Sequence, residues 1–334
     1  MQNVFYSKQL DIDAVLDRIF FDSVRGQKVG IKVHFGERGC TTFVPAEHVK
    51  RVCEYVRKRG GEPVLIETNV LYRGERTKDR SHRKLARDHG FDFAEIDILD
   101  GRMGENEVKY PVNLKHFKEA SVGGNLPKYD KIIVVSHFKG HILTGFGGAM
   151  KNLGMGLASR GGKLKIHASR PPKINFITCD KCGTCVENCQ GDAITLGWFP
   201  KADRNKCESC GMCIAICPKS AIRTPWLSSS FRTVTERIVE YAYAVVQKHD
   251  MIFLNFAINL TRNCDCVNHE QRPIAPDTGL FGSRDILAVE TAARDAVNKK
   301  RNVYRGERQL QYAKKIGIGD DEHKLIDVDG TQLR

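Results

Sequence analysis

Cys179, Cys182, Cys185 and Cys189 are each followed 28 residues later by a cysteine, at Cys207, Cys210, Cys213 and Cys217. One Cys-x2-Cys-x2-Cys-x3-Cys run therefore occurs twice in the middle of the chain, and eight thiols so spaced must converge on something other than an ordinary apolar core. The likeness extends past the sulfurs: Gly183 matches Gly211, and Ala193-Ile194 matches Ala221-Ile222. Each half reads as a loop, a helical turn and a short strand. Three close cysteines plus a fourth further on is the ligand grammar of bacterial-type dicluster ferredoxins, in which the fourth thiolate crosses to the other cluster. The expected ligand sets are Cys179, Cys182, Cys185 and Cys217 for one [4Fe-4S] cluster, and Cys207, Cys210, Cys213 and Cys189 for the second. One departure is that Pro218 follows the last cysteine of the second run whereas Gln190 follows that of the first. A pair of structural zinc sites would also use Cys-x2-Cys, but needs four ligands per site and leaves the three-plus-one grammar unexplained. Asp192 and Ser220 stand where a radical S-adenosylmethionine motif would place its third cysteine, which disfavours that chemistry.

The remaining composition is that of a globular chain. Of 334 residues, 41% are hydrophobic and 28% charged, and no apolar run approaches the length of a membrane span. The start, MQNVFYSKQL, lacks the charged-then-apolar pattern of a secretory signal, so a cytoplasmic location is expected. Cysteines that must stay as thiolates argue for a reducing setting rather than a disulfide framework. The net charge of +13 is partly local: from Lys151 to Lys173 there are six Lys and Arg residues and no acidic one. Such a segment could dock an acidic electron donor, hold an anionic small molecule or contact phosphates, or it could be a solvated basic face.

On either side of the cysteine runs, strand and helix signals alternate. VGIKVHF (29–35), PVLIET, AEIDIL, KIIVVSHF (131–138) and MIFLNFAI read as strands. AEHVKRVCEYVRKRGG, SHRKLARDHGF, TVTERIVEYAYAVVQKH with Thr233 as cap, and DILAVETAARDAVNKK read as helices. The expected fold class is α/β, with a mostly parallel sheet or sheets, flanking helices and an inserted ferredoxin-like α+β dicluster module. Residues 1–173 and 226–334 would be the two parts of the α/β domain and 174–225 the insert; two separate α/β domains flanking the module is the other arrangement.

The candidate chemistry outside the repeat gathers at strand ends, where parallel sheets bind ligands. His137, Lys139 and His141 leave the 131–138 strand, with Lys151 and Asn152 beyond a glycine-rich stretch containing Gly145, Gly147, Gly148, Gly154 and Gly156. That stretch is neither a Walker loop nor a dinucleotide fingerprint, and the glycines would serve either an anion or tight packing. His34 and Arg38 end the first such strand. Cys264-x-Cys266, with His269 nearby, would point both sulfurs the same way in extended backbone, which suits a shared metal, a redox pair or two buried thiols. A third metal centre would draw further ligands from His137, His141 or Cys40, whereas Cys40 and Cys53 alone read as packing residues.

Three segments, IKVHFGERGCTTFVPAEHV, VVSHFKGHILTGFGGAMKNLGMG and NCDCVNHEQRPIAPDTGLFGSRDILAVE, resemble the family called domain of unknown function 362, which often carries a ferredoxin insert. The resemblance covers most of the chain and implies the architecture above; it also implies that the Cys-Asp-Cys element recurs, and it brings no activity with it.

The functional expectation is an iron-sulfur oxidoreductase. Two clusters would relay single electrons to a substrate or metal in the α/β portion, with His137, His141, Lys151, Asn152, Cys264 and Cys266 as candidate catalytic residues. The alternatives are a non-catalytic electron carrier or assembly subunit docking a partner enzyme, and a nucleic-acid-binding or modifying iron-sulfur protein. The last lacks the interleaved aromatics that base stacking prefers. Expected cofactors are the two [4Fe-4S] clusters, with a third metal centre open and no diagnostic flavin or NAD motif. Expected partners are a redox protein and an anionic small molecule ahead of nucleic acid.

Overall fold

Runs such as Ile132-Ile133-Val134-Val135 have no polar face, so they can be satisfied only where layers cover both sides of a sheet. A computed structural model gives the structure of residues 1–20 and 22–333. Its centre is an eight-stranded sheet of β1 (Gln2–Ser7), β2 (Lys28–Lys32), β3 (Glu62–Glu67), β4 (Glu95–Ile98), β5 (Lys131–His137), β6 (Asp250–Ala257), β7 (Gly279–Ser283) and β8 (His323–Asp327). The order across the sheet is β8-β1-β7-β6-β5-β2-β3-β4. Every neighbouring pair is parallel except those of β7, which runs antiparallel to both β6 and β1. Strands that precede residue 174 and strands that follow residue 225 thus share one sheet.

Alternation along each strand sorts the apolar residues onto two faces. Ile132 and Val134 join Val64, Ile66 and Phe253 in one cluster, while Ile133 and Val135 join Ile31, Leu65 and Leu254 in the other. The first face is covered by α4 (Ala149–Gly154), α6 (Phe231–Val246) and α7 (Ile286–Lys300), the second by α1 (Ile12–Ile19) and α2 (Ala46–Lys58). Two further helices add to these faces, α5 (Arg160–His167) through Ile166 to the first and α3 (Asp79–Asp88) through Ala86 to the second. α6 begins earlier than its sequence suggests: the cap is Ser230, whose Oγ accepts from Thr233 N at 3.1 Å, so Thr233 lies in the first turn. Beyond the end of β2, Gly36 takes left-handed backbone at φ +77°. Among the glycines of the 145–156 stretch, Gly154 is fixed by packing, since a Cβ there would stand 2.0 Å from Ile238 O on α6. Among the described residues no helix is long and apolar enough to cross a membrane.

The sequence repeat is also a structural repeat. Helical turns Thr184–Glu187 and Met212–Ile216 follow Cys182 and Cys210, and the strands Lys173–Ile174 and Lys201–Ala202 stand at the same 28-residue offset. Lys181 and Ser209 share left-handed backbone, at φ 58° and 57°, as do Asp192 and Ser220, at 47° and 51°. Ala193 N donates to Cys189 Sγ and Ala221 N donates to Cys217 Sγ, each at 3.2 Å. The two halves interlock, for Lys173–Ile174 pairs with Ile222–Arg223 and Ile194–Thr195 pairs with Lys201–Ala202.

Glu290 of α7 is fully buried beneath α4. Its Oε1 accepts from Asn255 Nδ2 at 3.2 Å and from Met150 N at 3.4 Å, while Oε2 has no partner. Burial pushes its pKa up to about 7. Because that value lies above the unfolded one, near 4.3, folding is most favoured below it and loses stability as pH rises to about 7, then levels off. Glu290→Gln is therefore expected to raise stability at pH 8 by on the order of 2 kcal/mol and to change it little at pH 4. Urea unfolding at both pH values checks this, and a loss of stability at pH 8 contradicts it.

Candidate functional site

The C-terminal ends of the parallel strands open onto a cavity of about 320 Å³. His34 reaches it from beyond β2, Glu67 from the end of β3, Lys139 and His141 from beyond β5, and Cys264 and Cys266 from the loop after β6. Gly140 allows that loop to close in, because a Cβ there would stand 2.2 Å from Arg262 O. The Cys-Asp-Cys element is a tight turn, with Val267 N donating to Cys264 O at 3.2 Å, and not the extended backbone expected of it. The turn still brings both sulfurs to one side, 2.9 Å apart. Lys151 Nζ donates to Cys264 Sγ at 3.1 Å, and His34 Nε2 stands 3.5 Å from Cys266 Sγ. One donor atom each of His34, Cys264 and Cys266 lie within 4.8 Å of one another, a group that could hold a metal ion.

Between the two cysteines, Asp265 points the other way and is fully buried. Its carboxylate accepts from Lys139 Nζ at 3.0 Å and Thr42 Oγ1 at 3.3 Å, and lies 2.9 Å from His137 Nδ1. Burial alone would raise its pKa; His137 and Lys139 outweigh that and hold the carboxyl well below the usual range. The hydrogen bond from Cys266, with Lys151 and Lys139 beyond it, holds the Cys264 thiol well below its ordinary value, and Cys266 is pushed up correspondingly. Burial first, and then Arg76, keeps His34 neutral; burial and Lys151 do the same for His141. Two fully buried ion pairs frame the site, Lys32 with Glu67 at 3.1 Å and Arg76 with Glu37 at 3.3 Å.

Of the residues singled out in the sequence, His141, Lys151, Asn152, Cys264, Cys266 and His34 line this one cavity. His137 does not: its ring is spent on Asp265 and on Ile258 O, 2.8 Å from Nε2, so it positions the Cys-Asp-Cys turn from behind. Arg38 lies outside, paired with Glu75 and Asp88 at 2.7 Å. Cys40 and Cys53 are buried, the first beside Thr42 and the second in the core, and His269 is exposed. Tyr72, Arg76, Lys163, His167 and Trp226 line the cavity without having been marked. Lys163 belongs to the basic stretch that also read as a solvated face, yet it is 5% exposed, and Arg160 in the same stretch is fully buried.

The cysteine repeat forms a second pair of sites. Cys179, Cys182, Cys185 and Cys217 line one small void, and Cys189, Cys207, Cys210 and Cys213 line another. All eight thiols are free. Three thiols from one run plus the fourth of the other around each void is a donor set that fits a cubane iron-sulfur cluster. The repeat packs on the α/β portion where a Cβ on Gly161 would stand 3.3 Å from Cys210 Cα. Beside that contact a groove runs between Cys217, Pro218 and Ile214 on one wall and Leu71, Tyr72 and Trp226 on the other. These last three residues also line the large cavity, so they are the partition between it and the groove. Trp226 is held in that partition against His167, ring centroids 4.8 Å apart.

The family model described as Domain of unknown function (DUF362) matches residues 29–295. No curated protein matches the chain. Among solved structures it is similar to the lactate racemase apoprotein from Thermoanaerobacterium thermosaccharolyticum, with 10% identity, a TM-score of 0.44, and 98% of this chain and 82% of that chain covered. It is also similar to a structural-genomics protein from Thermotoga maritima, with 13% identity, a TM-score of 0.42, and 94% and 60% covered.

Proposed function

This chain belongs to the DUF362 family, and on that premise we propose that it is an iron-sulfur oxidoreductase with its reaction centre in the strand-end cavity. Residues 174–225 are read as a ferredoxin-like module inserted into one α/β domain made of 1–173 and 226–334. Cys179, Cys182, Cys185 and Cys217 would hold one [4Fe-4S] cluster and Cys207, Cys210, Cys213 and Cys189 the other. When bound, such clusters pass single electrons between a redox partner protein and the site. The observation that carries the reading is the shared partition: Cys217 lines both its own thiol-ringed void and the groove, and Leu71, Tyr72 and Trp226 line both the groove and the cavity.

Within the cavity each side chain has a task. His34, Cys264 and Cys266 would take a metal ion with room for a substrate ligand, as two sulfurs and one imidazole do in open three-ligand sites. Arg76 Nη1 stands 3.0 Å from His34 Nε2, so an ion bound there would displace that contact. Lys151, at Cys264 Sγ, would supply the proton that a reduced substrate needs, and His141, kept neutral by burial and by Lys151, is held at Nδ1 by Thr144. His137 and Lys139 fix Asp265 and with it the orientation of both cysteines.

Iron, sulfide and total metal on anaerobically prepared protein test the reading, with a Cys264→Ala, Cys266→Ala variant alongside. Unchanged iron of about eight per chain in the variant, together with loss of a further metal and of turnover, is the expected outcome. Turnover that survives the double substitution places the reaction elsewhere.

A further inference from the structure

We propose that the outer face of the cysteine repeat, centred on Phe176, Ile177, Trp198 and Phe199, docks a small acidic electron-carrier protein that exchanges single electrons with this chain. The proposal rests on reading the repeat as an electron-carrying module, and it names the surface and the kind of partner that module uses.

Large apolar side chains gathered in one exposed patch mark a surface that meets a partner. Five of the nine large hydrophobic side chains exposed among the described residues lie within 174–225, so this surface is concentrated on the repeat and not on the α/β portion. Trp198 is 90% exposed, Ile177 80% and Phe199 72%. The patch is continuous: the Phe176 and Phe199 rings meet edge to face at 5.5 Å, and Lys181 Nζ stands 5.6 Å from the centre of the Trp198 ring. Lys181 also lines the void ringed by Cys179, Cys182, Cys185 and Cys217, as does Leu196 at the base of the Trp198 loop, and Cys182 is itself exposed. The patch thus lies one side chain away from that void. The other void faces inward, for a Cβ on Gly161 would stand 3.3 Å from Cys210 Cα and one on Gly211 would stand 3.1 Å from Arg160 Cγ. Of the two, the void beside the patch is the one a partner can approach.

The rim decides the partner's charge. Ile174 and Ile222 are opposite each other and turn inward to the small apolar cluster of the repeat, which sends the next pair in register, Lys173 and Arg223, to the exposed face. Lys201, on the strand beside Lys173 and two residues past Phe199, is exposed as well. Like charges directly opposite on a ladder are destabilising, and an acidic partner would relieve the Lys173 and Arg223 pair. None of Lys173, Lys181, Lys201 and Arg223 is in an ion pair among the described residues. Asp180, next to Lys181, pairs with Lys219 at 3.8 Å, and Asp203, past Lys201, accepts from Asn205 N at 2.8 Å. An aromatic centre with a cationic rim matches an apolar face ringed by carboxylates. A second copy of this chain would set cation against cation, and a lipid surface takes no electron from a cluster beside it.

The test uses the full chain, prepared anaerobically with its iron, and a flavodoxin, a small acidic one-electron carrier. Binding is read by titration at low salt, and electron exchange by mixing each protein, chemically reduced, with the other oxidised; one of the two mixtures runs downhill whatever the cluster potentials. In it a [4Fe-4S] cluster and the flavin each change by one electron, and the flavin exchanges its proton with water. Trp198→Ala and the Lys173→Glu, Lys201→Glu double variant are each expected to bind flavodoxin at least tenfold more weakly and to exchange electrons at least tenfold more slowly, while keeping about eight irons and the parent's rate of reduction by dithionite. Wild-type binding should weaken at least tenfold between about 0.02 M and about 0.5 M salt, and cytochrome c, a basic carrier, should not bind. No flavodoxin binding at low salt, indifference to salt or to Trp198→Ala, binding without electron exchange, or equal binding of cytochrome c overturns the proposal. Binding to phosphatidylserine vesicles that needs Trp198, in place of binding to flavodoxin, makes this face a membrane contact and overturns it too. Should the double variant not fold, the salt dependence of the wild type and the Trp198→Ala result decide. Protein without iron-sulfur clusters defeats the reading of the repeat itself, whereas about eight irons with no docking at this face defeats the docking surface alone.

Discussion

If the two proposed clusters are present, serine at both Cys179 and Cys217 is expected to remove half of the iron, from about eight to about four per chain, and serine at both Cys179 and Cys189 to remove nearly all of it. The two variants lose the same number of thiols, and the difference comes from which void each thiol lines. Cys179 and Cys217 share one, so the second void keeps Cys189, Cys207, Cys210 and Cys213. Cys179 and Cys189 belong to different voids, so each is left with three ligands. Iron and sulfide analysis with electron paramagnetic resonance of the reduced proteins reads the outcome. If the Cys179, Cys189 variant keeps half its iron and the Cys179, Cys217 variant keeps none, the fourth thiolates do not cross. The same substitutions have a local effect on stability. The buried apolar cluster inside the repeat, Cys185, Ile194 and Ile222, is far smaller than the clusters on either face of the sheet. For so small a core, metal ligation supplies much of the folding free energy. Protease is therefore expected to cut the all-serine protein within 174–225 while the sheet stays intact.

Asp265→Asn is expected to cost about 3–5 kcal/mol of stability, because it leaves Lys139 charged and buried without its counter-ion. Lys139 is 6% exposed and the carboxylate is wholly buried, so water cannot replace the lost partner. Adding Lys139→Met to Asp265→Asn should recover most of the loss, since removing both members of a buried pair is far less costly than removing one. Urea unfolding of the single and double variants measures both effects, and a single-variant loss below about 1 kcal/mol would show that the pair is not buried in solution. The single variant also frees the turn that aligns Cys264 with Cys266. It should release any metal held there even under conditions where the protein remains folded.

Much of the architecture was legible because it is written in local periodicity. KIIVVSHF is a buried strand and AEHVKRVCEYVRK a helix, each from its own pattern of apolar residues, and the end of the 131–138 strand borders a cavity. The cysteine spacing likewise foretold the loop, turn and strand of each half and the grouping of thiols around two voids. Period and spacing failed where partners come from far along the chain. His137 and His141 are four residues apart and look equivalent, but one faces Asp265, 128 residues away, and the other faces the cavity. Lys163 looked like part of a solvated run because nothing nearby in sequence could shelter it; Thr68, across the strand-end cavity, does. His34 and Cys266 meet across 232 residues, and no pattern in either segment announces the other.

The layers, the repeat and its thiol grammar could be read from the chain because they follow from interactions within a few residues or one repeat length. Which charges are buried in pairs, how Lys163 is sheltered by Thr68 and Ala158, and that Leu71, Tyr72 and Trp226 separate the cavity from the groove beside the repeat all come from the three-dimensional arrangement. The physical reason is that burial and Coulomb energy depend on distance in space, and the sheet brings the ends of β2, β3, β5 and β6 side by side whatever their separation along the chain.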